Sequence, residues 1–209
     1  MTPRSDDVQA LYADESLIVV DKPEGMLAVP GRGPDKQDCL SARVQQQFGD
    51  ALVVHRLDMS TSGLMLFARG AAMQRKLSHL FHERLVHKRY LAVVSGLPAS
   101  ASGEINLPIA ADWPNRPLRK IDAANGQPSL TRYRVLAHEA QGTRVELEPV
   151  TGRTHQLRVH LAAIGHPILG DSLYGDAASA PRLLLHACTL GFVHPGSGIA
   201  LQFASPAPF

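Results

Sequence analysis

Cysteine is almost missing: Cys39 and Cys188 are the two in a chain of 209 residues. Two thiols so far apart cannot build a disulfide scaffold, and their scarcity fits a protein kept in a reducing cytoplasm. An unbroken membrane-length apolar run is missing too. The uncharged stretch Leu183 to Phe203 is interrupted by His186, His194, Pro195, Gly196 and Gly198, and such punctuation argues against a membrane helix. Met1 to Ala10 has no apolar segment of the kind a secretory signal needs. Metal-ligand spacing is also lacking. His155 and His160 are five apart, which on a helix separates them by roughly 140°, and no H-E-x-x-H motif occurs. Buried histidines more often satisfy core hydrogen bonds, so no metal site is expected. "MSTSG" lacks the first glycine of a G-x-S-x-G nucleophile elbow. Cys188 lies two residues from His186, but alternate strand residues share a face for packing alone, and a small buried hydrophobe is the simpler reading of both cysteines.

The chain does hold enough apolar residues, 44%, to bury a sizeable core. Its net charge of +2 conceals an asymmetry. Residues 1–24 carry Asp6, Asp7, Asp14, Glu15, Asp21 and Glu24 against Arg4 and Lys22, leaving the remainder strongly basic. The bases gather between Arg69 and Arg89 and in "DWPNRPLRK" (112–120), where Arg116, Arg119 and Lys120 stand near Trp113. Basic clusters with an aromatic suit a phosphate backbone, although solvated faces give the same count.

The patterning predicts strand, turn and strand over 16–31, a helix over 41–49, and strands ending at Val54 and covering 64–68, with a loop at 55–63. "AAMQRKLSHLFHERLV" (71–86) predicts an amphipathic helix with Leu77, Leu80, Phe81 and Leu85 on its apolar face. "RYLAVVSG" (89–96) reads as a strand, and 99–127 as loops or short strands. Residues 129–139 and 143–150 alternate like paired antiparallel strands, 153–165 predicts a helix, and "LLLHACTLGFV" and "IALQF" read as strands. No repeat or long linker interrupts this. The expected class is α+β, a mixed, largely antiparallel central sheet with flanking helices, with an acidic leader over 1–16 and one catalytic domain over 17–209.

The most loaded segment is "VVHRLDMSTSGLMLFA" (53–68). Asp58 stands among Arg56, His55, three hydroxyls and Gly63, with no second acid near by. A loop Asp commonly closes a turn. Arg56 can hold it as a carboxylate if the loop folds back, and such a group can serve as nucleophile or base. Glycoside hydrolysis generally needs two carboxylates, and the nearest others, Asp171 and Asp176, are far along the chain. In "TGRTHQLRVH" (151–160), Thr151 or Thr154 is the candidate helix N-cap. Arg153 at the helix start opposes the dipole, so an anion should sit opposite it, a substrate phosphate or Asp58. Tyr90, after "HKR", is equally readable as a core aromatic.

Taken together, "HRLDMSTSGLMLFA", "KRYLAVVSG", "TGRTHQLRVHLAAIGHPILGDSLYG", "LLLHACTLGFVHP" and the opening "LIVVDKPEGMLAVPG" resemble the motifs of the RluA-type pseudouridine synthases, from about Leu17 to the C-terminus. The resemblance implies isomerisation of a uridine within RNA, with no cofactor. It implies Asp58 as the catalytic aspartate, Tyr90 against the target uracil and Arg153 as the partner of the carboxylate. Arg56 would enter the stack vacated by the flipped base, Leu157 would line the pocket, and Arg116, Arg119 and Lys120 would hold phosphates. The short form without an N-terminal S4-type module, and "DWPNRPLRK" in particular, is similar to dual-specificity members that modify a tRNA anticodon stem-loop and a 23S rRNA hairpin. A cytoplasmic monomer with RNA as its partner, no membrane and no obligatory protein partner is expected. An RNA-binding protein with an inactive Asp58, a synthase with another target, and a nucleoside hydrolase or glycosidase remain as alternatives.

Overall fold

The computed structural model describes residues 8–209. In chain order its elements are β1 (Ala10–Ala13), β2 (Leu17–Lys22), α1 (Leu40–Gln47), β3 (Ala51–Val53), β4 (Ser62–Arg69), α2 (Gly70–His82), β5 (His87–Val94), β6 (Ser102–Asn106), β7 (Ile109–Ala111), β8 (Arg119–Ile121), β9 (Leu130–Glu139), β10 (Gly142–Pro149), α3 (Gln156–Ala163), β11 (Leu185–Val193) and β12 (Ala200–Ala204). The class is α+β. The residues gather into two compact units, one running through His87 and taking in Ala187–Pro206, the other Lys88–His186 with Ala207–Phe209.

In the first unit the strand order is β1-β2-β4-β11, with β3 beside β4 and β12 beside β11. Pairings β1/β2, β2/β4, β3/β4 and β11/β12 are antiparallel. Leu17 to Val20 and Leu64 to Ala68 are buried along their whole length, which explains why both strands read as continuous apolar runs: each is covered on both faces. Helix α2 lays Met73, Leu77, Leu80 and Phe81 on a core with Leu17, Val19, Leu66 and Phe192. Arg75 and Lys76 stay exposed.

Three local expectations are corrected, and the leader gains an element. The acidic leader contains strand β1, and Asp14 within it closes the turn into β2 by accepting from the backbone N–H of Ser16 and Leu17; Arg4, Asp6 and Asp7 lie outside the described residues. No second strand forms over 26–31. There the carbonyls of Leu27 and Ala28 accept from the N–H groups of Leu40 and Ser41, so the segment caps α1, whose N-cap Cys39 offers no side-chain cap to a helix N–H. Helix α2 stops at His82 rather than Val86. Arg84 turns left-handed at φ 60°, with Arg84 N–H bonding Phe81 O and Leu85 N–H bonding Leu80 O. That is a Schellman closure on a residue other than glycine, and it leaves Leu85 exposed. Finally, Ser62 and Gly63 belong to β4, not to the loop before it.

The second unit orders its strands β5-β10-β9-β6, with β7 and β8 forming a separate two-stranded ladder. β10 pairs antiparallel with β5 and β9, and β9 with β6, as the alternation over 129–150 predicts. Their inner residues, with Leu157, Leu161, Ile168 and Leu183 to Leu185, make this unit's core. On the outer strand surface Arg132 meets Glu104 and Glu148, and Arg89 and Arg134 meet Glu146. The basic residues of these strands are therefore largely matched by acids.

Gly63 is a residue this fold cannot readily replace. Its φ is +114°, and a Cβ there would lie 2.4 Å from the carbonyl oxygen of Ala187 and 2.5 Å from its nitrogen. Both partners are backbone and cannot step aside. Gly63→Ala is expected to cost at least about 3 kcal/mol, from the left-handed strain and the clash together. Urea denaturation measures this, and a loss below about 1 kcal/mol would show that β4 and β11 tolerate separation.

Candidate active site

The loop between β3 and β4 carries Asp58, and three contacts of the first unit set its path. His55 Nε2 accepts the backbone N–H of Leu66 at 2.9 Å, and its ring stacks on Phe81 with centroids 4.5 Å apart. Accepting a backbone proton makes Nδ1 the protonated nitrogen of the neutral ring. Leu57 is buried at 6% exposure. Thr61 N–H then closes a turn onto the carbonyl of Asp58 at 3.1 Å. Alternation along the loop leaves Arg56 exposed and Asp58 half-buried.

Lys22, fully buried at 0% exposure, fastens the loop from beneath. Its ammonium donates to the carbonyls of Pro23 at 2.8 Å, Met26 at 2.7 Å and Met59 at 3.0 Å. An ammonium has three protons, and three carbonyls receive them. A buried charge unmatched in this way would be prohibitive; here it holds the residue next to Asp58. The carbonyl of Met59 also accepts from Gly25 N–H at 2.9 Å. Sequence inspection passed over Lys22, although a lysine at the end of a buried strand, one residue after four apolar positions and directly before a proline, is the signal to notice. Arg56 makes no hydrogen bond or ion pair with Asp58, so the idea that it holds the carboxylate by folding back is corrected: its side chain points to solvent.

Tyr90, Arg153, Leu157, Arg116, Arg119 and Lys120 belong to the second unit. Tyr90 is half-buried on β5 opposite Leu147 and packs against the core cluster that includes Leu157. Leu157 itself is 7% exposed. Arg153 is exposed in the turn before α3 and not in its first helical turn, because the helix begins only at Gln156. The N-cap is His155, left-handed at φ 58°, without a side-chain cap. The expected opposition between Arg153 and the helix dipole is thus corrected, as is the capping role of Thr151 and Thr154.

Gln156 holds the turn before the helix instead. Its Oε1 accepts from Arg153 N–H at 3.0 Å and from the Thr151 hydroxyl at 2.7 Å. Its Nε2 donates to Leu130 O and to Thr131 Oγ1, each at 3.0 Å. Thr131 Oγ1 continues to His160 Nδ1 at 2.9 Å, and His160 Nε2 reaches Leu107 O at 2.9 Å. The turn bearing Arg153 therefore hangs on a buried polar chain in which every named group has a partner.

Beside it, Arg158 and Asp171 form a buried two-pronged ion pair at 2.8 and 2.6 Å, with Asp171 also accepting from Leu173 and Tyr174 N–H. Burial alone would raise the Asp171 carboxyl, but the guanidinium and the two backbone donors hold it below the usual range. Tyr174 hydroxyl accepts the backbone N–H of Arg119 at 2.8 Å and shares a 2.7 Å hydrogen bond with His155 Nδ1. Lys88 is pulled below its ordinary range by burial, and its ammonium lies close to Gly152, 3.9 Å from where a Cβ would be.

Between the β7–β8 ladder and the Gly152–Thr154 turn opens a cavity of about 630 Å³. Trp113, Arg119, Lys120 and Arg153 line it. The Arg116 guanidinium stacks on Trp113, 3.6 Å from the ring centroid.

Comparison with known proteins decides the family. Residues 16–163 match the model of the RNA pseudouridylate synthase family. The chain belongs to that family. It is 46% identical over 211 residues to the dual-specificity RNA pseudouridine synthase RluA of Escherichia coli O6:H1, covering 99% of this chain and 96% of that one. The RluA of Vibrio cholerae is 48% identical over 198 residues, 93% of this chain and 81% of the relative. Among solved structures, human RNA Pseudouridylate Synthase Domain Containing 1 superimposes with a TM-score of 0.79 at 31% identity, covering 100% of this chain and 87% of its own. The human Domain Containing 4 protein gives 0.76 at 27%, covering 98% and 89%. As a pseudouridine synthase the chain is an isomerase that turns uridine in RNA into pseudouridine. No helix among the described residues is long and apolar enough to cross a membrane.

The buried chain behind Arg153 has a pH signature. Burial lowers the His160 pKa from its ordinary 6.5. As pH falls below 6.5 the unfolded chain takes up a proton that folded His160 refuses, so stability declines from there until the folded pKa is reached. Above pH 6.5 this contribution is complete. His160→Gln, whose amide can keep both hydrogen bonds, is expected to flatten the loss between pH 6.5 and 5. Urea midpoints of both proteins across that range measure it; equal slopes would place the titration elsewhere.

Proposed function

We propose that this synthase isomerises loop uridines in two RNAs, a tRNA anticodon stem-loop and a 23S rRNA hairpin, as a cytoplasmic monomer. The observation that carries the reading is the single carboxylate, Asp58, on a loop fastened by Lys22, His55 and Leu57 with no second acid in that loop. One acid suffices because the N1–C1′ bond is exchanged for a C5–C1′ bond and no water has to be activated on an opposite face, as an inverting glycosidase requires. Near-full-length likeness to enzymes named dual-specificity RNA pseudouridine synthases supports the paired targets.

In this reading Asp58 reacts at the ribose, either attacking C1′ or taking a proton from C2′. Arg153 pairs with its carboxylate, Tyr90 packs on the uracil and Leu157 closes the apolar side. A stacked uracil must leave the stack first, at a cost of a few kcal/mol that is smallest in loops. Arg56, exposed and unbound to Asp58, is placed to fill the gap with a planar guanidinium, while Arg116, Arg119 and Lys120 hold phosphates and set register.

Asp58→Ala is expected to bind the stem-loop within several-fold of the native affinity and to form no pseudouridine; measurable turnover would remove Asp58 from the chemistry, and release of free uracil by the native protein would favour a hydrolase. Arg56→Ala is expected to lower kcat/KM on a structured stem-loop by at least about ten-fold more than on a short unstructured oligonucleotide, in line with the unstacking cost. Equal losses on the two substrates would remove the base-flipping role.

A further inference from the structure

The cleft of the second unit has features that holding phosphates does not require. Its floor on β7 is Ile109, Ala110 and Ala111, two of them methyl side chains that leave a shallow apolar surface. Its wall, Trp113, is 68% exposed, and Arg116 stacked at 3.6 Å occupies one face of the indole. A stacked guanidinium stiffens the ring and leaves its other face available to a second flat partner. Arg119 lines the same cavity, and its Nε is a buried donor without a hydrogen-bond partner. Such a donor costs free energy unless an acceptor arrives.

Elsewhere on this unit arginines are matched by acids, as Arg132 and Arg134 are. Among the described residues no carboxylate pairs with Arg116 or Arg119. The one acid of the cleft, Asp122, accepts from the backbone N–H of Ala124 and Asn125 and lies 3.9 Å from Lys120, so its charge is answered within the loop. A flat apolar floor, an aromatic wall and an unsatisfied cationic donor together match one nucleotide, base and phosphate at once.

Resting on the pseudouridine synthase reading above, we propose that this cleft is a second nucleotide site. It takes a nucleotide of the RNA loop flanking the target uridine, its base against Trp113 and the β7 floor and its phosphate on Arg119. Arg153, which the reading above pairs with the carboxylate of Asp58, lines the same cleft, and on that reading the occupant is a neighbour of the target and not a remote stem contact. The site makes Trp113 a specificity residue of the reaction, acting on how the loop is held.

The test is an abasic scan. Stem-loop substrates carry a single abasic nucleotide at each loop position except the target, and KM and kcat are measured with the native protein, Trp113→Ala and Trp113→Phe, alongside Kd by fluorescence anisotropy. Trp113→Ala is expected to raise KM and Kd for the intact loop roughly ten-fold, the usual range for one lost base stack, with kcat within about two-fold. One abasic position should weaken the native protein to the same extent and cost Trp113→Ala nothing more. Trp113→Phe should recover most of the loss, and Arg119→Ala should lower the dependence of log Kd on log salt by about 0.7, one phosphate of a single strand. The proposal is overturned if the abasic profile of Trp113→Ala parallels the native one, if its KM is unchanged, or if kcat falls instead. Because Kd is read independently of turnover, absence of pseudouridine from the native reaction would overturn the functional reading and leave the site to be judged by the binding scan.

Discussion

A buried ammonium surrounded by three carbonyls governs the geometry of the first unit. Lys22 takes its charge fully out of water and is answered by Pro23, Met26 and Met59. Dipoles fixed by the backbone stabilise the charge. The carbonyls tie the turn after β2 to the reactive loop. Segment 26–31 then cannot form a strand, since its carbonyls are committed to Lys22 and to the first turn of α1.

The second unit solves a related problem with an amide. Gln156 uses both ends of its side chain, receiving Arg153 N–H and Thr151 and donating to Leu130 and Thr131. His160 and Leu107 extend the chain into the core. The buried Arg158–Asp171 pair is embedded in it with its remaining lone pairs met by backbone donors, the condition under which a buried ion pair is tolerated. Exposed Arg153 thus stands on a base that is wholly internal.

How far this was legible in the sequence follows from the range of the interactions. Strands β2, β4, β9 and β10 show in runs and alternation, because burial acts on every residue of a strand. The end of α2 at His82 does not, since Arg84 adopts the left-handed form where a glycine would have announced it. The start of α3 was hidden because neither Thr151 nor Thr154 caps it, and Gln156 at its first position instead holds the preceding turn through Arg153 N–H and Thr151. Asp58 stood out through its neighbours. The backbone partners of Lys22, His55 and Tyr174 did not, because they lie 37, 11 and 55 residues away, and a local pattern can mark a residue without naming such a partner.

Tyr174 illustrates a thermodynamic consequence. One hydroxyl touches the backbone of Arg119 on one side of the cleft and His155 on the other, with His155 two residues from Arg153. The two lips of the cleft therefore share an anchor and fluctuate together. Ordering them is accomplished when the chain folds, so an RNA loop arriving later meets a surface whose conformational entropy has already been surrendered, and more of each contact is left to appear as affinity.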